Sequence, residues 1–103
     1  METAKVEIFS NRTNAAVIRH PNRAFPGLLV QGDTLHMLHE MAEAACRGVR
    51  RSSPRFAEVS DLRDALHSFL SHYSAVLNQH DIPLPFSDEE LRFSNRASFE
   101  KIP

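Results

Sequence analysis

Leu28-Leu29-Val30-Gln31-Gly32-Asp33-Thr34-Leu35 is the stretch that decides how this chain folds. Four residues with an apolar, β-branched centre suit a strand. Gly32-Asp33-Thr34 then closes the strand and opens a helix. Thr34 is the expected N-cap, with Asp33 as the alternative, because a short oxygen-bearing side chain can accept from the first orphan amides of a helix. A full capping box would place Glu or Gln three residues after Thr34, and Met37 stands there instead.

Upstream of this junction, residues 5–9 alternate. Val6 and Ile8 face one way, and Lys5, Glu7 and Phe9 the other, which predicts a strand with one buried face. Residues 10–14 (Ser-Asn-Arg-Thr-Asn) read as a turn. Ala15 to Arg19, with Val17 and Ile18, reads as the second strand of a hairpin. Pro21 and Pro26 each remove a ladder donor, so residues 20–27 form a connecting loop into the third strand, Leu28 to Gln31.

Downstream, the spacing predicts a first helix from Thr34 to about Arg47–Val49. Leu35, Leu38, Met41, Ala42, Ala45 and Val49 form its expected core stripe. Gly48 marks its end, and Arg47, Arg50 and Arg51 lie where positive charge suits a helix C-terminus. Ser53-Pro54 reads as an N-cap followed by proline at the first helical position. A second, long helix from Pro54 to His80 follows. Its expected stripe is Val59, Leu62, Leu66, Phe69, Tyr73, Val76 and His80, widened by Leu70 and Leu77. The alternative is a short fourth strand over Phe56–Val59 with the helix starting at Ser60–Asp61. Residues 81–85 (Asp-Ile-Pro-Leu-Pro) end the helix. The fold class is therefore α+β: a three-stranded antiparallel sheet followed by two helices. Residues 1–86 are expected to form one domain. Residues 87–103 read as a polar, partly disordered tail, in which Ser87-Asp88-Glu89-Glu90 offers a cap for a single helical turn.

Composition sets outer bounds. The chain has 103 residues, one domain's worth, with 42% apolar and 24% charged residues, which is ordinary globular usage. A formal net charge of −1 provides no global field toward nucleic acid or anionic lipid. One cysteine, Cys46, forms no internal disulfide and no cysteine zinc site. No apolar run approaches the roughly 20 residues of a membrane span, and the N-terminus lacks an apolar signal segment. A cytoplasmic protein without a cofactor is expected.

Four clusters invite chemistry. His36, His39, Glu40 and Glu43 share a face of the first helix at metal-ligand spacing, but one helix rarely supplies a full ligand set, so the expected role is a solvated face. Asp64, His67 and Ser71 hold the residue types of a hydrolytic triad on a helix surface that supplies neither a buried orienting acid nor an oxyanion hole. Cys46 beside Arg47 reads as a small buried hydrophobe rather than a nucleophile. No catalytic or metal-binding residues are assigned. Residues 47–55 carry Arg47, Arg50, Arg51 and Arg55, able to meet phosphate or an acidic protein surface, without interleaved aromatics for base stacking. Arg23 and Phe25 sit in the proline-bounded loop, where Phe25 suits either an interface anchor or a lid on the core. These six residues are the candidate partner-binding set.

Residues 25–35 (Phe-Pro-Gly-Leu-Leu-Val-Gln-Gly-Asp-Thr-Leu) resemble the HicB-type antitoxin pattern. In that pattern a proline-glycine turn leads a strand into Gln-Gly-Asp-Thr-Leu and then a helix rich in Ala and Glu, here Glu40, Ala42, Glu43, Ala44 and Ala45. The resemblance covers about residues 5–50. It implies a non-enzymatic domain that binds and blocks a small RNA-cleaving toxin. That family usually adds a further strand and a DNA-binding module, and here a basic linker runs into a long helix instead. As a whole the chain also resembles an uncharacterised bacterial family of short proteins with the same element order. The expected partner is a toxin-like protein or a second copy, the latter through the second helix or a sheet edge.

Overall fold

The structure is a computed structural model that describes residues 1–87. It contains β1 (Glu7–Ser10), β2 (Ala16–Arg19), β3 (Gly27–Leu29), α1 (Gly32–Arg47) and α2 (Arg55–Gln79). The expected α+β order of three antiparallel strands and two helices, the second one long, is the one observed. The backbone gathers into two compact units, Met1–Gln31 and a second from Gly32 onward. The tail reading falls, from Asp88 on, outside the described residues.

In the first unit the strands pair in sequence order. Ile8 opposes Ile18 and Ser10 opposes Val17, so Phe9 is an extra residue in β1 and the alternation breaks there. Glu7 opposes Arg19, and their side chains pair, with Arg19 Nε donating to Glu7 Oε1 at 2.8 Å. The Arg19 guanidinium also lies 5.7 Å from the Phe9 ring centre, within cation–π range. Thr13 Oγ1 donates to the Ala15 carbonyl and accepts from its amide, which stiffens the hairpin turn. The expected buried face of β1 is not there: Ile8 is 61% exposed and Val6 is exposed too. The first strand begins at Glu7 rather than Lys5, and the third spans Gly27–Leu29 rather than Leu28–Gln31.

The second unit is a helical hairpin. α1 starts at Gly32, two residues before Thr34, and the Thr34 amide donates to Asp33 Oδ1 at 2.9 Å. Both residues expected as N-cap, Thr34 and its alternative Asp33, therefore lie inside the first turn, where the Asp33 carboxylate accepts from the neighbouring amide. α1 ends where the Gly48 amide bonds the Ala44 and Ala45 carbonyls. Pro54 is already helical (φ −58°, ψ −26°), and Ser53 Oγ accepts from the Arg55 amide at 3.2 Å. That matches the expected Ser-Pro start and leaves no strand over Phe56–Val59. At the other end of α2, Asp81 adopts φ 56°. The Ile82 amide reaches the Leu77 carbonyl and the Asp81 amide the Asn78 carbonyl. This is a Schellman ending with Asp in the place usually held by Gly.

Contacts along the hairpin show that the helices are antiparallel: Gly32 meets Tyr73, His39 meets His67 and Glu43 meets Arg63. Their buried faces carry Gly32, His39, Ala42, Glu43 and Cys46 from α1, and Arg63, Leu70 and Ser74 from α2. This corrects the expected stripes. Leu38 and Met41 are exposed on α1, as are Leu62 and Phe69 on α2. At 100° per residue these side chains lie about a third of a turn from the buried lines, in the same sense on both helices. Antiparallel pairing then brings both sets to one side of the hairpin. After α2, Phe86 returns to stack on His36 (centroids 4.6 Å apart, planes 7° apart) and to contact Tyr73.

Gly32 is buried, and a Cβ there would run into the Tyr73 ring. The glycine is needed for this close approach and not for its backbone angle. Gly32→Ala is expected to lower unfolding stability by about 1–3 kcal/mol. Adding Tyr73→Leu to Gly32→Ala should recover part of that loss. Urea melts of the four species of this cycle measure both, and a purely additive cycle would mean that the two residues do not meet.

Candidate functional site

The hairpin interior is where ionisable groups meet. His36, His39, Glu40 and Glu43, expected on a solvated face, instead line or flank the helix contact. His39 is 1% exposed and Glu43 is 4% exposed. The reason is on the facing helix: Arg63 and His67 stand opposite, and Arg63 Nε lies 3.8 Å from Glu43 Oε1. A buried carboxylate needs such a partner. Arg47 Nη1 adds a second, looser cation at 4.0 Å. His36 Nε2 and His39 Nδ1 approach Glu40 Oε1 at 3.8 Å and 3.9 Å. Among the described residues, no group of three or more His, Cys, Asp or Glu side chains is placed to hold a metal ion.

Neither ring nitrogen of His39 has a hydrogen bond among the described residues. Its closest approach to Glu43 is 3.9 Å, too long for one. Burial pushes its pKa below the ordinary 6.5, with the neighbouring His67, His36 and Arg63 lowering it further and Glu40 opposing them. The imidazole is therefore held neutral.

The triad-like residues separate. Ser71 Oγ and His67 Nε2 are 3.2 Å apart, one helical turn from each other. Asp64 is exposed, and its Oδ1 accepts from Arg63 Nε at 3.0 Å. Among the described residues, no orienting acid thus stands behind His67 in a Ser–His–Asp line. Cys46 is buried, as expected.

The six expected partner-binding residues also separate. Arg23 and Phe25 belong to the first unit, and both are exposed. Phe25 is 84% exposed, which overturns its reading as a lid. Arg47, Arg50, Arg51 and Arg55 belong to the second unit, and all are exposed. Arg47 and Arg51 come together around a pocket of about 140 Å³, lined also by Cys46, Val49, Phe56 and Arg63. Arg50 and Arg55 do not line it. Arg63 was missed by sequence reasoning, because it lies outside the arginine run, in the middle of α2. One signal was present: it is a charge flanked by Leu62 and Leu66 on a long amphipathic helix.

Protonating His39 costs more in the folded chain than in the unfolded one. The unfolded chain therefore takes up a proton first as pH falls through 6.5, and stability should drop below that pH. His39→Leu removes this site and should flatten the decline. Urea midpoints of both proteins at neutral and mildly acidic pH test it. Equal declines in the two would take the dependence away from His39.

Among the described residues no helix is long and apolar enough to cross a membrane. No curated protein matches the chain, and no solved structure does. One family model does match, over residues 1–86, which takes in both units through Phe86. The chain belongs to the family described as a family of unknown function, DUF6959.

Proposed function

We propose that this chain is a non-enzymatic protein-binding domain, an inhibitor of the antitoxin or immunity kind that works by covering a partner protein. The observation that carries this reading is Phe25. It is 84% exposed in a loop bounded by Pro21 and Pro26, beside Arg23. A large apolar side chain on a stiff loop loses little conformational freedom on docking, and aromatic and Arg residues dominate binding hot spots. The resemblance of residues 25–35 to the HicB-type pattern points the same way. On the second unit, Arg50 and Arg55 are exposed as a separate basic surface.

The test is co-expression with the product of the neighbouring gene. The chain should co-purify with that product and relieve any growth arrest it causes. Phe25→Ala should weaken the complex roughly thirtyfold, about 2 kcal/mol. Absence of both complex and relief would overturn the reading.

A second reading is supported by the exposed side of the hairpin, which carries Leu38, Met41, Leu62 and Phe69. Isologous packing of this side on a second copy would form a four-helix homodimer. Light scattering should then give twice the chain mass, and Phe69→Glu should give the monomer. A wild-type monomer at high concentration would remove this reading.

A further inference from the structure

We propose that the pocket at the α1–α2 turn is a binding site for a small organic carboxylate with a short aliphatic body. The proposal is separate from the protein-binding role and does not depend on it. Three arginines line the pocket: Arg47, Arg51 and Arg63. Arg63 is only 7% exposed, yet it donates from Nε alone, to Asp64. Its two Nη groups have no hydrogen bond among the described residues. The Nη groups keep contact with solvent, and with no protein acceptor on them among the described residues the fork is available to a ligand in the pocket. The planar fork matches a carboxylate with two parallel N–H···O bonds.

Charge and volume narrow the class. The three guanidinium groups stand against two carboxylates, Glu43 and Asp64. Arg51 has no ion pair among the described residues. One positive charge is thus in excess, which suits a monoanion better than a phosphate dianion. Cys46, Val49 and Phe56 supply an apolar wall, against which a phosphate alone would gain nothing. The volume of about 140 Å³ is close to that of a cavity that holds benzene, so roughly six or seven non-hydrogen atoms fit. Valerate has this size, one charge and an aliphatic body.

The experiment is a titration of the full chain with sodium valerate, followed by amide NMR and calorimetry, with valeramide and inorganic phosphate as parallel arms. Expected are saturable valerate binding that shifts the Val49 and Phe56 amides, no response to valeramide, and weaker phosphate binding. Arg51→Gln, at an exposed position, should weaken valerate about tenfold while leaving the fold intact. Arg47→Gln is the second variant should Arg51→Gln fail to fold. The proposal is overturned by valeramide binding as well as valerate, by phosphate binding as tightly as valerate, by no saturable binding at millimolar concentrations, or by valerate affinity unchanged in the variant.

Discussion

Glu43 and Arg63 meet across the α1–α2 contact, and the second unit is arranged around that meeting. A carboxylate and a guanidinium that are both nearly inaccessible offset each other's charge across the contact, in addition to the partner each has on its own helix, Arg47 for Glu43 and Asp64 for Arg63. Their positions set the register of the hairpin. With Glu43 level with Arg63, His39 falls level with His67 and Gly32 with Tyr73. The same pairing sets the rotation of each helix about its axis. It turns the polar line of α1 inward, and the outer edge of each apolar stripe, Leu38 and Met41 on one helix and Leu62 and Phe69 on the other, is left in solvent.

This arrangement has a thermodynamic consequence. Fully buried Leu70 and its buried neighbours Ala42 and Cys46 share the interior with His39, Glu43, Arg63 and Ser74. An interior of that kind gains less from water exclusion than an apolar one of the same size. What it gains in return is a preferred alignment, since sliding either helix by a turn would break the cross-helix Glu43–Arg63 pair and leave each charge only its partner on its own helix. The apolar surface left outside is then available for association, and the first unit likewise exposes Ile8, Phe9, Phe25 and Leu28.

The candidate sites were unevenly legible in the sequence. The arginine run from Arg47 to Arg55 stood out because its charges are contiguous, and two of its members do line a pocket. Arg63 was invisible to the same reasoning, because a single charge on a long helix reads as a solvent contact until the facing helix is known. The histidines of α1 were recognised as a cluster, but their solvation was misjudged for the same reason. Phe25 was legible as an anchor or a lid, and its exposure excludes the lid.

By itself the sequence determined the elements and their order. Proline positions, the Gly-Asp-Thr junction, the Ser-Pro start of α2 and the two periodicities act through the local backbone, and local backbone preferences need no partner. Exact strand ends shifted by a residue or two, since pairing terminates strands. Which face of each helix is buried was decided only by the tertiary structure. A helical period marks an apolar band, but the band on each helix borders a polar line, and burial goes to whichever line finds its complement opposite. Here Arg63 opposite Glu43, and Tyr73 against Gly32 where no Cβ intervenes, drew the polar lines inward.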